Sequence, residues 1–330
     1  MEEIGQERYR EILGRFESLS VLVLGDLMMD EYLRGSVRRI SPEGPVMVVE
    51  VESDEFKPGG AANVGNNLRA LGARVCIAGV VGDDESGRLL RNEMASWGID
   101  VGGVFSDPTR PTTRKTRVIA QSQQVLRVDR EQTNPVSETV SNQLVDHVAN
   151  TIGSVDAILV SDYRKGVLSP ESAAKCVKIA QAAGKPLITN PKPSSAGWLA
   201  GASVLSLNRA EAEELGRRRL NMENGAEDER SFGEALRSEL NVDTLVITWG
   251  SRGLSYWKRS GDYRYVPAHR VEVADVAGAG DTTIGAMTLA LLAGAEAYEA
   301  AVIANRAGAC VVRKAGVATV TVEELLRPSV

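Results

Sequence analysis

Two glycines in residues 275–282 have the residue type and spacing of a phosphate-binding turn. Gly278 and Gly280 stand where an apolar helix is predicted to begin, and glycine permits both a tight bend and the close approach of a ligand. The unpaired N–H groups and the positive end of the helix dipole attract anions at such a point. The stretch therefore predicts a cradle for a phosphate group.

Asp281 is the unexpected residue of this cradle, because a carboxylate in the first helical turn repels a bound phosphate. A general base that takes a proton from an incoming hydroxyl would explain its position, since neighbouring amides stabilise the developing charge. The alternative is an ordinary first-turn acid, which favours a helix without any part in chemistry. The octapeptide alone leaves both interpretations open.

The helix that positions these residues is indicated by apolar side chains at helical spacing. A buried stripe at i, i+3, i+4, i+7 and i+8 is formed by Ile284, Met287, Thr288, Leu291 and Leu292. Gly294 follows the stripe and is a typical helix end. The pattern predicts a buried helix with Asp281 in its first turn.

Polar side chains also follow an N-terminal strand. Residues 21–24 are all apolar, as in a parallel strand buried on both faces, and Gly25 and Asp26 end the run. Ligands of open α/β sheets bind at the carboxyl ends of strands, so Asp26 and Asp30 are candidates for binding polar groups. The alternative assigns them to a turn and a helix cap.

Small residues at Gly59 and Gly60 introduce a second helix, and they would let a ligand approach its first turn closely. The amide of Asn63 could donate and accept hydrogen bonds there. Later in the chain, Asn208 ends a predicted strand and Glu211 follows three residues on. From the sequence alone, this pair is best interpreted as a helix cap with its capping-box glutamate.

Alternating strands and helices from Arg74 onward predict an α/β domain with a parallel sheet. Strand-like segments at 46–51, 114–120 and 124–129 interrupt the alternation and predict a small inserted sheet. We expect a single domain over residues 1–330, with lid segments at about 32–58 and 107–130. Polar residues 221–230 are predicted to form a loop.

Composition excludes several classes of protein. The 330 residues are 43% hydrophobic with a net charge of −6, which suits a large core and argues against nucleic-acid binding. No apolar window is long enough for a membrane span. The cysteines are scattered, as in a protein of the reducing cytoplasm. Two histidines are too few for a His-rich zinc site and make a Ser-His-Asp hydrolase an unfavoured class.

Taken in order, these motifs resemble the ribokinase-like, or PfkB, family of carbohydrate kinases over essentially the whole chain. The resemblance rests on Gly59-Gly60-Ala61-Ala62-Asn63-Val64 and on residues 275–282, with Gly25-Asp26 upstream. Neither a G-x-x-x-x-G-K-[ST] nor a G-x-G-x-x-G phosphate loop is present. The family resemblance implies a three-layer α/β/α sandwich with a small β-sheet lid, and phosphoryl transfer from ATP to a sugar.

The same resemblance implies roles for individual residues. Asp281 would be the base, beside an anion hole made by the amides of Gly278, Ala279 and Gly280. Sugar hydroxyls would be bound by Asp26, Asp30, Gly59, Gly60 and Asn63. The ATP phosphates and Mg²⁺ would face Asn190, Asn208 and Glu211, the last through water. Thr248, Gly250 and Gly253 would line the nucleotide, Asn305 would lie near adenine, and Asp275 would serve a monovalent-cation site for K⁺.

Within the family, four sequence segments resemble those of the kinases of D-glycero-β-D-manno-heptose 7-phosphate. They are residues 39–45, 123–129, 161–166 and 191–192. That subgroup usually has aspartate where this chain, like ribokinases, has Asn190. Many relatives carry a fused nucleotidyltransferase with an H-x-G-H motif, which is missing here, so the resemblance is to a stand-alone kinase. The alternatives are a ribokinase- or fructokinase-type enzyme for another sugar, and a non-catalytic sugar or nucleotide sensor.

The inserted strands are expected to cover the sugar and to recognise its remote phosphate. Strand alternation places Lys115 and Arg117 on one face and Arg114 on the other, and Lys192 is a third candidate contact. The alternative is that these cations only solvate the lid. An apolar face predicts a homodimer formed through the lid, and its residues are Val46, Val48, Val51, Val118 and Leu126. That face could instead be covered by the protein's own body.

Overall fold

A computed structural model of the chain describes residues 4–121, 123–222 and 228–327, and these ranges contain thirteen strands and ten α-helices. The strands are β1 (Ser20–Gly25), β2 (Leu27–Ile40), β3 (Met47–Gly60), β4 (Arg74–Gly82), β5 (Asp100–Asp107), β6 (Thr113–Ala120), β7 (Gln123–Arg130), β8 (Ala157–Asp162), β9 (Leu187–Pro191), β10 (Val204–Asn208), β11 (Thr244–Thr248), β12 (Gly253–Lys258) and β13 (Tyr263–Pro267). The helices are α1 (Gln6–Gly14), α2 (Ala61–Ala70), α3 (Glu85–Ser96), α4 (Glu138–Thr151), α5 (Pro170–Ala182), α6 (Arg209–Leu215), α7 (Glu229–Leu240), α8 (Ala279–Leu292), α9 (Ala297–Val311) and α10 (Val322–Leu326).

Nine strands form the main sheet, in the order β13-β12-β11-β10-β9-β8-β1-β4-β5. The strands from β11 to β5 are parallel, whereas β12 and β13 are antiparallel additions at one edge. Strand order reverses around β1, which pairs with β4 on one side and β8 on the other. In open α/β sheets, ligands bind beyond the carboxyl ends of strands at such a reversal.

Helices cover both faces of this sheet and produce two hydrophobic cores. Side chains alternate along β1, so Val21 and Val23 join one core with α2, α8 and α9. Leu22 and Leu24 point the opposite way and pack with α4, α5 and α7. Burial of both faces explains why residues 21–24 are apolar without interruption. The predicted three-layer α/β/α sandwich is confirmed.

The second sheet, which we call the lid sheet, contains β2, β3, β6 and β7 in the order β3-β2-β6-β7. Strand β2 is antiparallel to β3 and parallel to β6. In one row across the sheet, Lys57, Asp30, Lys115 and Asp129 are consecutive partners, so their side chains share a face. The small inserted sheet predicted from residues 46–51, 114–120 and 124–129 is therefore present.

Three local predictions differ from the structure. Asp30 lies within β2, which was not predicted as a strand, so the helix-cap interpretation of Asp30 is wrong. Helix α4 was also missed, although Ser137 caps it and its buried side chains lie four residues apart. Within the predicted loop 221–230, α7 already begins at Glu229, and residues 223–227 lie outside the described part of the chain.

Candidate active site

The candidate site lies where β1 and β8 end side by side. Gly25 of β1 is paired with Ser161 of β8, and the chain leaves both strands at this edge. Asp26 follows the first strand, and Tyr163 follows the second. Because β1 is also the point where strand order reverses, this edge opens the crevice in which α/β proteins bind ligands.

Helix α8 points its first turn into this crevice. Gly278 precedes the helix with a φ of 77°, a left-handed conformation that favours glycine. A Cβ atom at Gly278 would lie 3.0 Å from the Asn63 amide nitrogen, whereas one at Gly280 would meet open space. The N–H group of Gly280 has no acceptor among the described residues, while that of Ala279 is bonded to Val276 at 3.3 Å. The predicted anion cradle is thus open at Gly280 and partly engaged at Ala279.

Asp281 is the buried acid of the site, with 6% of its surface exposed. The Asn63 side-chain amide donates to its Oδ2 atom at 2.7 Å, and the Tyr163 hydroxyl donates to its Oδ1 atom at 2.9 Å. Each carboxylate oxygen therefore keeps acceptor capacity for one further donor. An ordinary first-turn acid would face solvent, so this burial favours a role in chemistry.

The surroundings of Asp281 adjust its proton affinity. Burial raises its pKa to about 6, and the charge of Asp30 acts in the same direction. The hydrogen bonds from Asn63 and Tyr163 and the charge of Lys192 lower it. The carboxylate is therefore mostly ionised at neutral pH, yet it binds a proton more readily than an exposed aspartate, as a general base requires.

Tyr163 is the site residue that sequence reasoning missed. Its hydroxyl bonds to Asp281, and burial together with the charge of Asp281 raises the pKa of the phenol, so Tyr163 stays a donor. The ammonium group of Lys192 lies 5.0 Å from the centre of its ring. The available signal was its place directly after β8, because this position corresponds to that of Asp26 after β1.

Asp26 shapes the loop that carries Tyr163. Its carboxylate accepts backbone N–H groups from Tyr163 at 2.7 Å, Lys165 at 3.1 Å and Val167 at 3.3 Å. Burial and the charge of Asp162 raise the pKa of Asp26 to about 7, against the effect of these amides. The structure assigns Asp26 to positioning the loop, and its predicted contact with a sugar hydroxyl stays a prediction.

The lid sheet brings its own charged groups to the site. The Arg117 guanidinium donates to Asp30 and lies 5.3 Å from the centre of the Tyr32 ring. Lys115 is bonded to Asp129 at 3.0 Å and to Glu131 at 3.2 Å.

Arg114 lies on the opposite face of β6, as predicted, and pairs with Glu31 at 3.6 Å. At the base of the lid sheet, a Cβ atom on Gly59 would lie 2.4 Å from the Asp30 carboxylate, and one on Gly60 would strike the backbone of Asp26. These two glycines therefore let the lid sheet and the site pack closely.

Lys192 comes from the end of β9 and not from the lid sheet. Its ammonium group pairs with Glu211 at 2.7 Å. Glu211 also accepts the Asn208 N–H at 2.9 Å while Asn208 accepts the Glu211 N–H at 3.0 Å, so the capping box is confirmed. Both carboxylate oxygens of Glu211 therefore have partners within the chain, and its contact with Mg²⁺ through water stays a prediction.

Most of the residues predicted to bind the nucleotide lie at or after the ends of β9, β10 and β11, and Asn305 lies on α9. Asn190 donates to Ser206 O at 3.0 Å, and Asn208 is paired with Thr248 across β10 and β11. Gly250 and Gly253 have positive φ angles of 62° and 117°. Asn305 of α9 donates to Pro267 O at 2.8 Å.

Asp275 fixes the loop in front of α8. Its carboxylate accepts the N–H groups of Ala277 at 2.9 Å and Gly316 at 3.1 Å. The loop before α8 is thereby tied to the segment that follows α9. A monovalent-cation site at Asp275 stays a prediction. The described residues contain no group of three or more His, Cys, Asp or Glu side chains placed to hold a metal ion.

Comparison with known proteins identifies the family. Residues 18–324 match the description "pfkB family carbohydrate kinase". The chain belongs to the pfkB family of carbohydrate kinases. As a member it is an ATP-dependent sugar kinase, and the general resemblance noted from the sequence is confirmed.

Relatives of this kinase include proteins named "Bifunctional protein HldE". The one from Geotalea uraniireducens is 40% identical over 97% of the chain, and the one from Geobacter sulfurreducens is 41% identical over 94%. The chain spans 65% and 62% of their respective lengths. The similarity therefore covers the kinase chain described here and leaves part of each relative unmatched.

Solved structures of similar fold include a ribokinase of Arabidopsis thaliana complexed with ribose and ATP, with a TM-score of 0.74, 19% identity and coverage of 94% of this chain and 99% of that one. Phosphofructokinase-2 of Escherichia coli in complex with potassium has a TM-score of 0.76, 18% identity and coverage of 93% and 96%. At such identities the likeness establishes the fold alone. Within the described residues, no helix has both the length and the apolar character needed to cross a bilayer.

Proposed function

We propose that this kinase transfers the γ-phosphoryl group of ATP to the anomeric hydroxyl of D-glycero-β-D-manno-heptose 7-phosphate. The product would be the 1,7-bisphosphate, an intermediate of ADP-heptose synthesis. The observation that carries the proposal is the buried Asp281, held at the open end of α8 by Asn63 and Tyr163. The acceptor is inferred from the four sequence segments that resemble heptose 7-phosphate kinases and from the HldE relatives.

In the proposed step, Asp281 takes the proton of the sugar hydroxyl while the oxygen attacks the γ-phosphorus. The bond between that phosphorus and the β–γ bridging oxygen breaks, and ADP leaves. The amides at Gly278, Ala279 and Gly280 stabilise the charge on the transferred group. Mg²⁺ beside Glu211 would neutralise phosphate charge when bound. The reaction needs little beyond positioning and charge stabilisation, which these residues can supply.

The lid sheet supports a phosphorylated acceptor. Arg117 and Lys115 lie on the same face as Asp30, the face that contributes to the site. Each cation is held by a carboxylate, Arg117 by Asp30 and Lys115 by Asp129 and Glu131. A phosphate group could replace these partners, because arginine binds phosphate through paired hydrogen bonds.

A substrate panel tests the proposal. ADP release is measured after mixing the kinase and MgATP with ribose, fructose, fructose 6-phosphate, heptose and heptose 7-phosphate. We expect release only with the 7-phosphate. Release with a free sugar would assign the enzyme to a ribokinase- or fructokinase-type activity, and no release with any sugar would favour a sensor.

Removal of Arg117 should weaken binding of the sugar phosphate. In Arg117→Ala, we expect the KM for heptose 7-phosphate to rise by at least about tenfold, the typical value of one charge-assisted contact. The KM for ATP should remain nearly unchanged, because Arg117 contacts Asp30 and Tyr32 and none of the residues predicted to hold ATP. Steady-state kinetics with each substrate varied in turn provides the measurement.

Arg114→Ala is the matched control, since Arg114 lies three residues away on the other face of the same strand. We expect wild-type KM values for both substrates in this variant. Equal losses in the two variants, or a similar loss for ATP and sugar in Arg117→Ala, would place the remote phosphate elsewhere.

We also infer that two copies associate through the outer face of the lid sheet, which is the face opposite Asp30, Lys115 and Arg117. Phe56, Thr116 and Val128 lie in one row of this face, with Val118 and Leu126 in the next row. Phe56, Leu126 and Val128 are 41%, 56% and 51% exposed. Exposed apolar side chains gathered on one sheet face are typical of an interface, and a twofold pair would bury the same face of both copies.

Light scattering at micromolar concentration should give twice the chain mass of 35.3 kDa. The double variant Leu126→Glu with Val128→Glu should give the single mass, because buried like charges oppose pairing. Leu89→Glu is the control, since Leu89 is 43% exposed on α3, outside the lid sheet, and should leave the dimer intact. A monomeric mass for the unmodified protein would contradict the inference.

The proposed function also carries expectations about a monovalent cation and about the cellular compartment. K⁺ near Asp275 should raise turnover if the family's cation site is present, and replacement of K⁺ by tetramethylammonium measures this. We place the enzyme in the cytoplasm, where ATP is available and where its thiols Cys76, Cys176 and Cys310 would stay reduced.

A further inference from the structure

A second cavity, of about 530 Å³, lies outside the site just described. Its walls are the segment after β13, one face of α9 with the residues that follow it, and α10. Its volume is within the range of small-molecule sites. None of its lining residues bonds to Asp281, Asn63 or Tyr163.

Positive charge dominates this cavity. Four arginines line it, at positions 270, 306, 313 and 327, together with Lys314. Glu324 is the only carboxylate in the lining, and Lys314 pairs with it at 2.7 Å. An adjoining hollow shares Arg270 and Arg313 and adds Glu272. Even with Glu272 counted, the arginines bring more positive charge than the nearby carboxylates balance, in a chain whose net charge is −6.

The predicted adenine contact, Asn305, lies on α9 beside this cavity. Arg306 and Cys310 lie at i and i+4 on one face of α9, and Arg313 follows the end of this helix by two residues. Asn305 is turned toward Pro267 instead and does not line the cavity. Ala309, one helical turn after Asn305, does line the cavity, so the cavity and the predicted adenine contact are neighbours on α9.

The surroundings of His269, which lines the cavity, change its pKa. Burial and the charge of Arg306 lower the pKa of His269, so the imidazole is mainly neutral near pH 7. Arg306 itself is held by the backbone oxygen of Arg327 and by the Tyr9 ring. Arg270 and Arg313 have no ion-pair partner among the described residues. Two guanidinium groups are thus available to a ligand.

We propose that this cavity binds a small phosphorylated anion at a site separate from catalysis. Arginine forms paired hydrogen bonds with phosphate oxygens, and several guanidinium groups around one concave space suit a ligand with one or two phosphate groups. A concave hollow of this size does not suit an extended nucleic acid, which needs a basic stripe along the surface.

Isothermal titration of inorganic pyrophosphate into the full chain tests this proposal in Mg²⁺-free buffer of low ionic strength. We expect one saturable site, with a Kd raised at least about tenfold by the double variant Arg270→Ala with Arg313→Ala, since charge-assisted contacts are lost. Arg259→Ala, which removes an exposed arginine paired with Asp243, should leave the Kd unchanged.

A second variant separates this cavity from the catalytic cradle. Gly280→Val fills the open space at the start of α8 and should leave pyrophosphate binding in place. Loss of binding in Gly280→Val would assign the pyrophosphate to the cradle and overturn the proposal. An unchanged Kd in the double arginine variant, or no saturation below about 10 mM, where affinity falls under roughly 3 kcal/mol, would also overturn it.

Discussion

Replacement of Asp281 by asparagine should lower kcat by at least about a hundredfold, the usual contribution of a general base. Asparagine keeps the size of the side chain and one oxygen that can accept a hydrogen bond, but it cannot take a proton. The fold and nucleotide binding should therefore persist, as measured by thermal unfolding and by titration with ADP. Near-normal turnover in the folded variant would remove Asp281 from the mechanism.

The pH profile gives this prediction a second readout. The base works only when ionised, so kcat/KM of the unmodified kinase should fall as the pH drops through about 6, where Asp281 becomes protonated. Tyr163→Phe removes a hydrogen bond that favours the charged carboxylate, and it should move this fall to higher pH. If the fall of kcat/KM at low pH occurs at the same pH in Tyr163→Phe as in the unmodified kinase, the titrating group is not Asp281.

Replacement of Asp26 by alanine should destabilise the protein by about 3 kcal/mol or more. The change leaves three backbone N–H groups, of Tyr163, Lys165 and Val167, without their acceptor. A buried unsatisfied donor costs roughly 1–3 kcal/mol. Turnover should fall as well, since the loop holds Tyr163 against Asp281. Urea unfolding monitored by circular dichroism measures the free energy of unfolding.

Ser161→Ala is the matched control for this experiment. Ser161 is buried on the neighbouring strand, and its hydroxyl has no hydrogen-bond partner among the described residues. Its removal should change the free energy of unfolding by less than about 0.5 kcal/mol, since no hydrogen bond is lost. Similar effects of Asp26→Ala and Ser161→Ala would show that the three amide contacts contribute little.

Much of the fold could be predicted because its strands are buried on both faces. The unbroken apolar run at 21–24 and the helical stripe ending at Gly294 are strong local signals. Strand β2 was missed because it belongs to two environments. Its first residues are buried while those from Arg34 onward are mostly polar and partly or fully exposed, so neither alternation nor a continuous apolar run marks it.

The candidate site was predictable only where a residue's role is local. Gly278 and the capping pair Asn208 and Glu211 follow from backbone conformation and helix ends, which short motifs encode. The partners of Asp281 are different, because only the order of strands in the sheet brings Tyr163 beside α8. Likewise, the sequence placed Lys115 and Arg117 on one face, but it could not reveal the carboxylates that neutralise them.

The contacts of Asp281 also set an order of assembly for the growing chain. Asp281 lies 218 positions after Asn63 and 118 after Tyr163. A ribosome releases the four strands of the lid sheet and the centre of the main sheet long before α8, and long-range contacts close late in folding. A nascent chain can therefore build its lid sheet while it still lacks the acid of the site. Asp281 emerges only after all the described strands of both sheets, with α9 and α10 still to follow.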